Sequence, residues 1–205
     1  MIAPMPQKVG IIGAGVIGDF HAEALNAMPG AQLVAAYARR DERAQAFAQA
    51  HGCSAYSDLA QFLAHEGMDV VTVASVSGAH LDHVQAAAQA GKHIICEKPL
   101  EVTTDRIDQM IRICKEAGVM LAGIFPRRFN PSTEIFKKAI ENGRLGKVVL
   151  VDVAIKWWRS QEYYDSGAWR GTWDLDGGGA LMNQSIHTID LMLHLVGPVT
   201  SVRAS

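Results

Sequence analysis

Three groups of residues in this chain have types and an order that suit redox chemistry on a small molecule. Gly13-x-Gly15-x-x-Gly18 can cradle a pyrophosphate, Glu97-Lys98-Pro99 follows a short apolar run, and Asn183-x-x-x-His187 comes after three consecutive glycines. A lysine and a histidine can hold a substrate hydroxyl and move its proton. In this order the groups predict a dinucleotide site, a lysine beside a nicotinamide and an acid/base histidine.

The glycine fingerprint lies between the apolar segment 9–12 and a predicted helix, the context in which such a motif is informative. Gly13 suits the tight turn, Gly15 lets the backbone approach a pyrophosphate, and Gly18 lets the helix pack closely on the strand. The alternative is a glycine-rich turn without a ligand. The predicted cofactor contacts here are Gly13, Gly15, Val16, Ile17 and Gly18.

The next cofactor position follows the second predicted strand, where an NAD-binding protein usually carries a carboxylate for the ribose 2′-hydroxyl. This chain has Ala38, Arg39 and Arg40 there. Because guanidinium groups bind phosphate through paired charge-assisted hydrogen bonds, we expect a 2′-phosphate and therefore NADP. The alternative is NAD, with both arginines in solvent and Asp41 on the ribose.

Two patterns along the chain would position these residues. Residues 8–124 alternate short apolar runs with amphipathic segments, which is typical of a Rossmann doubly wound parallel sheet, an α/β fold. The predicted strands are residues 8–13, 32–38, 69–74, 93–96 and 119–124. Residues 104–117 are predicted as a helix with Thr103 or Thr104 as N-cap. Lys98 then follows the carboxyl end of a strand, where such sheets bind ligands.

A second domain is predicted to begin at residue 125, after a dinucleotide-binding domain at 1–124. Residues 125–205 would form the first part of an α+β domain with a mainly antiparallel sheet. Its predicted elements are helices near 132–142 and 178–195 and strands at 147–158 and 199–204. The aromatic-rich segment 157–173 is predicted to be largely a loop that lines a binding site, with packing alone as the alternative explanation of its aromatic residues. On the second helix, Asn183, His187, Asp190 and His194 form a polar stripe beside an apolar one.

The composition narrows the function classes. Nineteen basic and twenty-one acidic side chains give a net charge of -2, which offers no reason to expect nucleic acid or anionic membrane as a partner. The three cysteines lack the spacing of a disulfide framework or a zinc site, and His80 and His83 lack a third nearby metal ligand, so no metal is expected. The chain has no membrane-length apolar run, and residues 1–7 lack a signal-peptide pattern, so we expect a cytoplasmic protein.

The chain resembles the Gfo/Idh/MocA oxidoreductase family over essentially its whole length. The resemblance rests on the glycine fingerprint, segments 75–80 and 90–93, Glu97-Lys98-Pro99, segments 128–131, 169–171 and 177–179, and His187 with Asp190. It implies that Lys98 and His187 serve catalysis and that the Lys98-Pro99 bond is cis. One departure is Asn183, which replaces an aspartate common in the family and cannot transfer a proton at neutral pH.

The resemblance implies hydride transfer between a nicotinamide and a secondary alcohol of a sugar, sugar derivative or cyclitol. Members that oxidise nucleotide-sugar uronates are the most similar. His187 would take the hydroxyl proton, Lys98 would hydrogen-bond the same oxygen, and Asn183 would fix its orientation. The further expected cofactor contacts are Ser75, His80, Glu97, Lys98, Trp169 and Arg170, and the further expected substrate contacts are Arg128, Asn130 and Tyr163.

Two other functions remain open at this point. A catalytically silent NAD(P)-binding sensor is favoured by Asn183, and an interaction module would use the aromatic segment without a dinucleotide. In the family, the second domain continues well past this length and commonly mediates subunit contact. We therefore expect residues 1 to about 124 to fold and bind dinucleotide, and the 205-residue chain to show little turnover and to form a homo-oligomer through the second-domain sheet.

Overall fold

The structure is a computed structural model that describes residues 6–204. Residues 1–5, which belong to the segment considered for a signal peptide, and Ser205 lie outside the described residues. The chain divides into two compact units, Met1–Ile124 and Phe125–Ser205. The sequence pattern also changes after Ile124.

The sheet of the first unit carries the fingerprint and the lysine. Within residues 6–124 it has six parallel strands in the order β3-β2-β1-β4-β5-β6. The strands are β1 (Gln7–Ile12), β2 (Ala31–Tyr37), β3 (Ser54–Tyr56), β4 (Val70–Val73), β5 (His93–Cys96) and β6 (Leu121–Gly123). The predicted parallel sheet is confirmed. Strand β3 was not predicted from the sequence, since a three-residue strand is too short to show a period of two.

Helices cover both faces of this sheet. They are α1 (Val16–Ala27), α2 (Asp41–His51), α3 (Leu59–Leu63), α4 (His80–Gln89) and α5 (Thr104–Glu116). Ile11 packs in one buried cluster with Ala22 and Phe47, while Ile12 belongs to the other cluster, with Val84 and Met110. Successive strand residues point to opposite faces, so the two clusters lie on opposite sides of the sheet. Thr103 is the N-cap of α5, because its hydroxyl accepts from the Arg106 amide at 3.4 Å.

The second unit is helical where it is regular. Its helices are α6 (Pro131–Glu141), α7 (Gln161–Asp165), α8 (Trp173–Asp176), a π-helix (Ala180–Ser185) and α9 (Ile186–Val196). The strands predicted at 147–158 and 199–204 are wrong, since no strand occurs among residues 125–204. Val149 and Leu150 are 85% and 83% exposed. A strand needs a paired neighbour for its backbone groups, and composition alone does not supply one.

The helix predicted at residues 178–195 begins later than expected. Gly177, Gly178 and Gly179 have φ of 64°, 89° and 88°, the left-handed region that a right-handed helix does not use. Helical backbone therefore starts at Ala180, in the π form. Among residues 6–204, no helix has both the length and the apolar character required to cross a membrane.

Candidate active site

The glycine turn between β1 and α1 has the geometry that its sequence predicts. Gly13 has φ of 114°, and a Cβ there would lie 2.6 Å from the Ala74 carbonyl oxygen. A Cβ on Gly18 would lie 2.2 Å from the Gly13 carbonyl oxygen, so only glycine lets α1 pack this close to β1. In contrast, a Cβ on Gly15 would meet nothing within 4 Å. The backbone at Gly15 is therefore open to a ligand.

The first turn of α1 is suited to an anion. Gly15 is its N-cap and supplies no side-chain hydrogen bond, and Val16 and Ile17 are 71% and 44% exposed. The amide groups of a helix N-terminus lack intrahelical acceptors and carry partial positive charge. A pyrophosphate over Gly15 would accept from these amides. The residues present therefore fit the dinucleotide that the fingerprint implies.

The end of β2 presents two cations. Arg39 and Arg40 are exposed, and Arg40 is the N-cap of α2. No ion pair involves either arginine among residues 6–204. The nearest carboxylate in sequence, on Asp41, accepts from the Ser57 hydroxyl at 3.1 Å. That contact makes Asp41 less available for a ribose than the sequence alone suggests. Ala38 donates its amide to the Tyr56 carbonyl at 3.1 Å.

Two histidines lie after β4. His83 Nδ1 contacts the Ser75 hydroxyl at 2.9 Å, and burial, followed by the charges of His80 and Arg39, lowers the pKa of His83. His80 is 1% exposed; its Nε2 lies 3.0 Å from the Ser75 carbonyl and its Nδ1 lies 3.1 Å from the Pro99 carbonyl. Burial is also the main reason why the pKa of His80 is lowered. His80 thus connects the Ser75 turn with the Pro99 segment and presents no surface to a cofactor.

Lys98 follows β5 in a tightly bonded segment. The Lys98-Pro99 bond is cis, as the family resemblance implied. The Glu97 carboxylate accepts from the Lys98 amide at 3.0 Å and contacts His21 Nε2 at 2.9 Å, while His21 Nδ1 lies 2.6 Å from the Thr72 hydroxyl. Burial would raise the pKa of Glu97, but the hydrogen bonds from His21 and the Lys98 amide outweigh it and lower this pKa. An ionised Glu97 therefore links α1 to the lysine segment.

His21 was not identified from the sequence. Its only signal was its place on α1, three residues after Gly18, and its partner Glu97 is 76 residues away. A contact between such distant positions depends on the strand order of the sheet, which brings β1, β4 and β5 side by side. Both residues belong to the first unit: His21 lies on α1, and Glu97 directly follows the end of β5.

In the second unit, the first residue of the predicted polar stripe is held by an acidic partner. Asn183 Nδ2 donates to the carboxylate of Asp176, which is 2% exposed and also accepts from the Gly171 amide at 2.7 Å. Asn183 lies in the π-helix, and the half-buried His187 lies in the first turn of α9. Asp176 was not singled out from the sequence. It is the carboxylate that fixes the Asn183 amide.

Asp190, another residue of the polar stripe, forms an ion pair with an arginine. Both of its carboxylate oxygens accept from the Arg128 guanidinium, with the Nε contact at 2.8 Å. This hydrogen bond is the main reason why the pKa of Arg128 is raised. Arg128, expected to contact substrate, is thus engaged in an ion pair, while Asn130 is exposed at the N-cap of α6.

The aromatic segment holds the remaining predicted contacts. Arg170 Nη1 donates to the Tyr163 hydroxyl at 2.7 Å, and its guanidinium lies 4.8 Å from the Trp169 ring centroid. Trp169, Arg170 and Tyr163 are all half-buried. The structure therefore brings these three predicted site residues together, although part of the predicted loop is the helix α7.

Comparisons with known proteins agree with this architecture. A family model described as an oxidoreductase family with an NAD-binding Rossmann fold matches residues 7–125, and a GFO/IDH/MocA C-terminal domain model matches residues 134–205. Inositol 2-dehydrogenase of Rhizobium meliloti is 30% identical over 94% of this chain and 56% of its own length. D-glucoside 3-dehydrogenase of Escherichia coli is 32% identical over 97% of this chain and 57% of its own length.

A solved structure gives the same result. The WlbA dehydrogenase from Bordetella pertussis, in complex with NADH and UDP-GlcNAcA, has a TM-score of 0.91 and 38% identity over 97% of this chain and 57% of that chain. The chain spans about half the length of the relatives that it matches. With both domain models matched and this degree of identity, the chain belongs to the Gfo/Idh/MocA family of oxidoreductases.

Proposed function

We propose that this chain is an NAD(P)-dependent oxidoreductase that transfers a hydride between a nicotinamide and a secondary alcohol of a sugar, sugar derivative or cyclitol. The observation that carries the proposal is the edge of the first-unit sheet. There a glycine turn follows β1 and leads into α1, whose N-terminus has no side-chain cap. The His21–Glu97 pair holds the Lys98 segment after β5. Strands β1 and β4 are neighbours at the point where the strand order reverses, which is where such sheets bind ligands.

The bound nicotinamide would supply the redox chemistry, as hydride acceptor or donor. The chain's own residues would handle the proton and the geometry. His187 would take the hydroxyl proton as the alcohol is oxidised, and Lys98 would donate a hydrogen bond to the same oxygen. Asn183, held by Asp176, would orient that oxygen without taking its proton.

We propose NADP as the cofactor, with NAD as the alternative. Arg39 and Arg40 have no carboxylate partner within residues 6–204, and Asp41 is bonded to Ser57. The other proposed cofactor contacts are the glycine turn with Val16 and Ile17, Ala38, Ser75, Glu97, Lys98 and Trp169, and Arg170 is proposed to contact either the nicotinamide or the substrate. His80 supports the site through Ser75 and Pro99.

Replacing Arg39 and Arg40 together by alanine is expected to weaken NADP binding by roughly tenfold to a hundredfold and NAD binding by no more than about twofold. Hydrogen bonds to a charged group contribute about 1.5–3 kcal/mol, and only NADP carries the 2′-phosphate. Calorimetry with both dinucleotides measures the two affinities. Arg43→Ala, an exposed arginine on the same helix, is the matched control. Equal affinity of the unmutated chain for both dinucleotides would contradict the NADP assignment.

The activity is tested by mixing a full active form of the protein with NADP or NAD and a panel of sugars, nucleotide-sugar uronates and cyclitols, and following absorbance of the reduced nicotinamide. The UDP-GlcNAcA bound to the similar WlbA dehydrogenase makes nucleotide-sugar uronates the first substrates to test. We also propose that the protein is cytoplasmic and that it forms a homo-oligomer. The second candidate function, a silent dinucleotide sensor, rests on Asn183 and predicts cofactor binding with no turnover on any substrate.

A further inference from the structure

Four polar side chains of the second unit form a hydrogen-bonded cluster around one phenol. Tyr163 Oη accepts from Arg170 Nη1 at 2.7 Å and from Gln184 Nε2 at 3.0 Å. The Gln184 orientation is fixed because its Oε1 accepts from Arg159 Nη2 at 2.9 Å. A guanidinium and an amide NH₂ can only donate, so both bonds use lone pairs of the phenol oxygen.

This arrangement leaves the Tyr163 proton without a destination in the described chain. A phenol has one O–H donor, and no acceptor for it occurs among residues 6–204. Arg170 Nε is also buried without an acceptor there. Buried donors in folded proteins are nearly always bonded, so the buried Arg170 Nε, next to a half-buried phenol whose O–H has no acceptor in the described chain, indicates that the cluster binds an external acceptor.

The charge of the cluster indicates what kind of acceptor is missing. Neither Arg159 nor Arg170 forms an ion pair within residues 6–204. Their guanidiniums instead lie against rings: Arg170 is 4.4 Å and Arg159 is 5.2 Å from the Tyr163 centroid. Trp169 covers Arg170 and Trp157 covers Arg159, at 4.8 Å and 5.8 Å. Rings hold the cations in place without neutralising them.

We propose that Arg159, Tyr163, Arg170 and Gln184 form a binding site for an anionic oxygen of the substrate, either a carboxylate or a phosphate. The inference rests on the proposed sugar oxidoreductase function and adds the charged group that its substrate carries. Tyr163 donates its proton to the anion, and the two guanidiniums provide the balancing charge. Gln184 lies next to Asn183 and three residues before His187, so the anion site and the proposed proton acceptor belong to one helical segment.

The test uses tryptophan fluorescence, because all four tryptophans lie between residues 157 and 173, in the second unit. The 205-residue chain, saturated with oxidised dinucleotide at constant ionic strength, is titrated with glucuronate, UDP-glucose and glucose. Glucuronate carries only a carboxylate, UDP-glucose only a pyrophosphate, and glucose neither. We expect at least one anionic probe to bind about tenfold more tightly than glucose. The probe that does so identifies the anion.

Tyr163→Phe removes only the donor hydroxyl and is expected to reduce the preference for that anionic probe roughly tenfold, with glucose binding changed less than about twofold. Tyr164→Phe, which alters the neighbouring tyrosine, is the matched control and should keep the preference. Arg159→Gln, at an exposed position, tests the charge independently of the phenol. Thermal unfolding midpoints of the variants show whether the fold is kept.

The proposal is overturned if no anionic probe binds more tightly than glucose, or if the Tyr163 and Tyr164 variants show the same preference. Dinucleotide binding, followed separately by calorimetry, distinguishes this failure from failure of the proposed function. A chain that binds dinucleotide without any anion preference refutes the anion site alone. The titration is repeated without dinucleotide, and a chain that prefers the anion there but binds no dinucleotide refutes the oxidoreductase function alone.

Discussion

Replacing either Lys98 or His187 by alanine, in a full active form of the protein, is expected to lower kcat by about 10² to 10⁴, the range that a positioned acid/base group contributes. The affinity for the dinucleotide should stay within about threefold, because the glycine turn and the first turn of α1 hold the pyrophosphate without either side chain. Steady-state kinetics by reduced-nicotinamide absorbance, with calorimetry for cofactor binding, measures both quantities.

Two comparisons separate the roles of these residues. Lys115→Ala, at an exposed position in the last turn of α5, is the control for loss of a lysine charge and should leave kcat unchanged. If His187 takes the proton, His187→Ala should also remove a titration step from the pH profile of kcat, whereas loss of an orienting group would scale the profile without changing its shape. Near-normal turnover in either alanine variant would show that its assigned role is wrong.

The first unit could be predicted from the sequence because its signals are local. The alternation of apolar runs with amphipathic segments gives the parallel sheet, and Gly13 and Gly18 sit where a Cβ would collide with backbone. In contrast, the His21–Glu97 contact joins residues that are far apart in the chain. Its existence depends on which strands become neighbours, and no short window of sequence contains that information.

In the second unit, sequence patterns did not predict all of the secondary structure correctly. Residues 147–158 have the β-branched composition of a strand, but strand formation requires a partner, which composition does not specify. The π-helix is similar, since the bond from the Gln184 amide to the Gly179 carbonyl at 3.4 Å spans five residues and has no compositional signature. The contacts of Asn183 with Asp176 and of Tyr163 with Gln184 follow from that helical register, so the sequence could name Asn183 and Tyr163 but not their partners.

The ion pair between Glu101 and Arg106 gives the largest expected effect on stability. The Glu101 side chain is 0% exposed; its carboxylate accepts from Arg106 Nη2 at 2.8 Å and from the Leu81 and Val102 amides at 3.2 Å and 2.7 Å. Burial would raise the pKa of Glu101, but these hydrogen bonds outweigh it and lower the pKa. The ionised carboxylate therefore stabilises the fold at neutral pH, with its charge balanced mainly by Arg106.

Arg106→Met keeps most of the apolar stem and removes the charge, so it should lower the free energy of unfolding by about 3 kcal/mol at neutral pH, the cost of leaving a buried charge without its partner. A carboxyl with a lowered folded-state pKa stabilises the protein above its unfolded pKa and loses this contribution as the pH falls through the folded value. The difference between the unmutated chain and Arg106→Met should therefore shrink toward about pH 3. Urea unfolding followed by far-ultraviolet circular dichroism at both pH values measures it. Arg112→Met, an exposed arginine on the same helix, is the control, and equal destabilisation by the two variants would show that the Glu101 pair does not stabilise the fold.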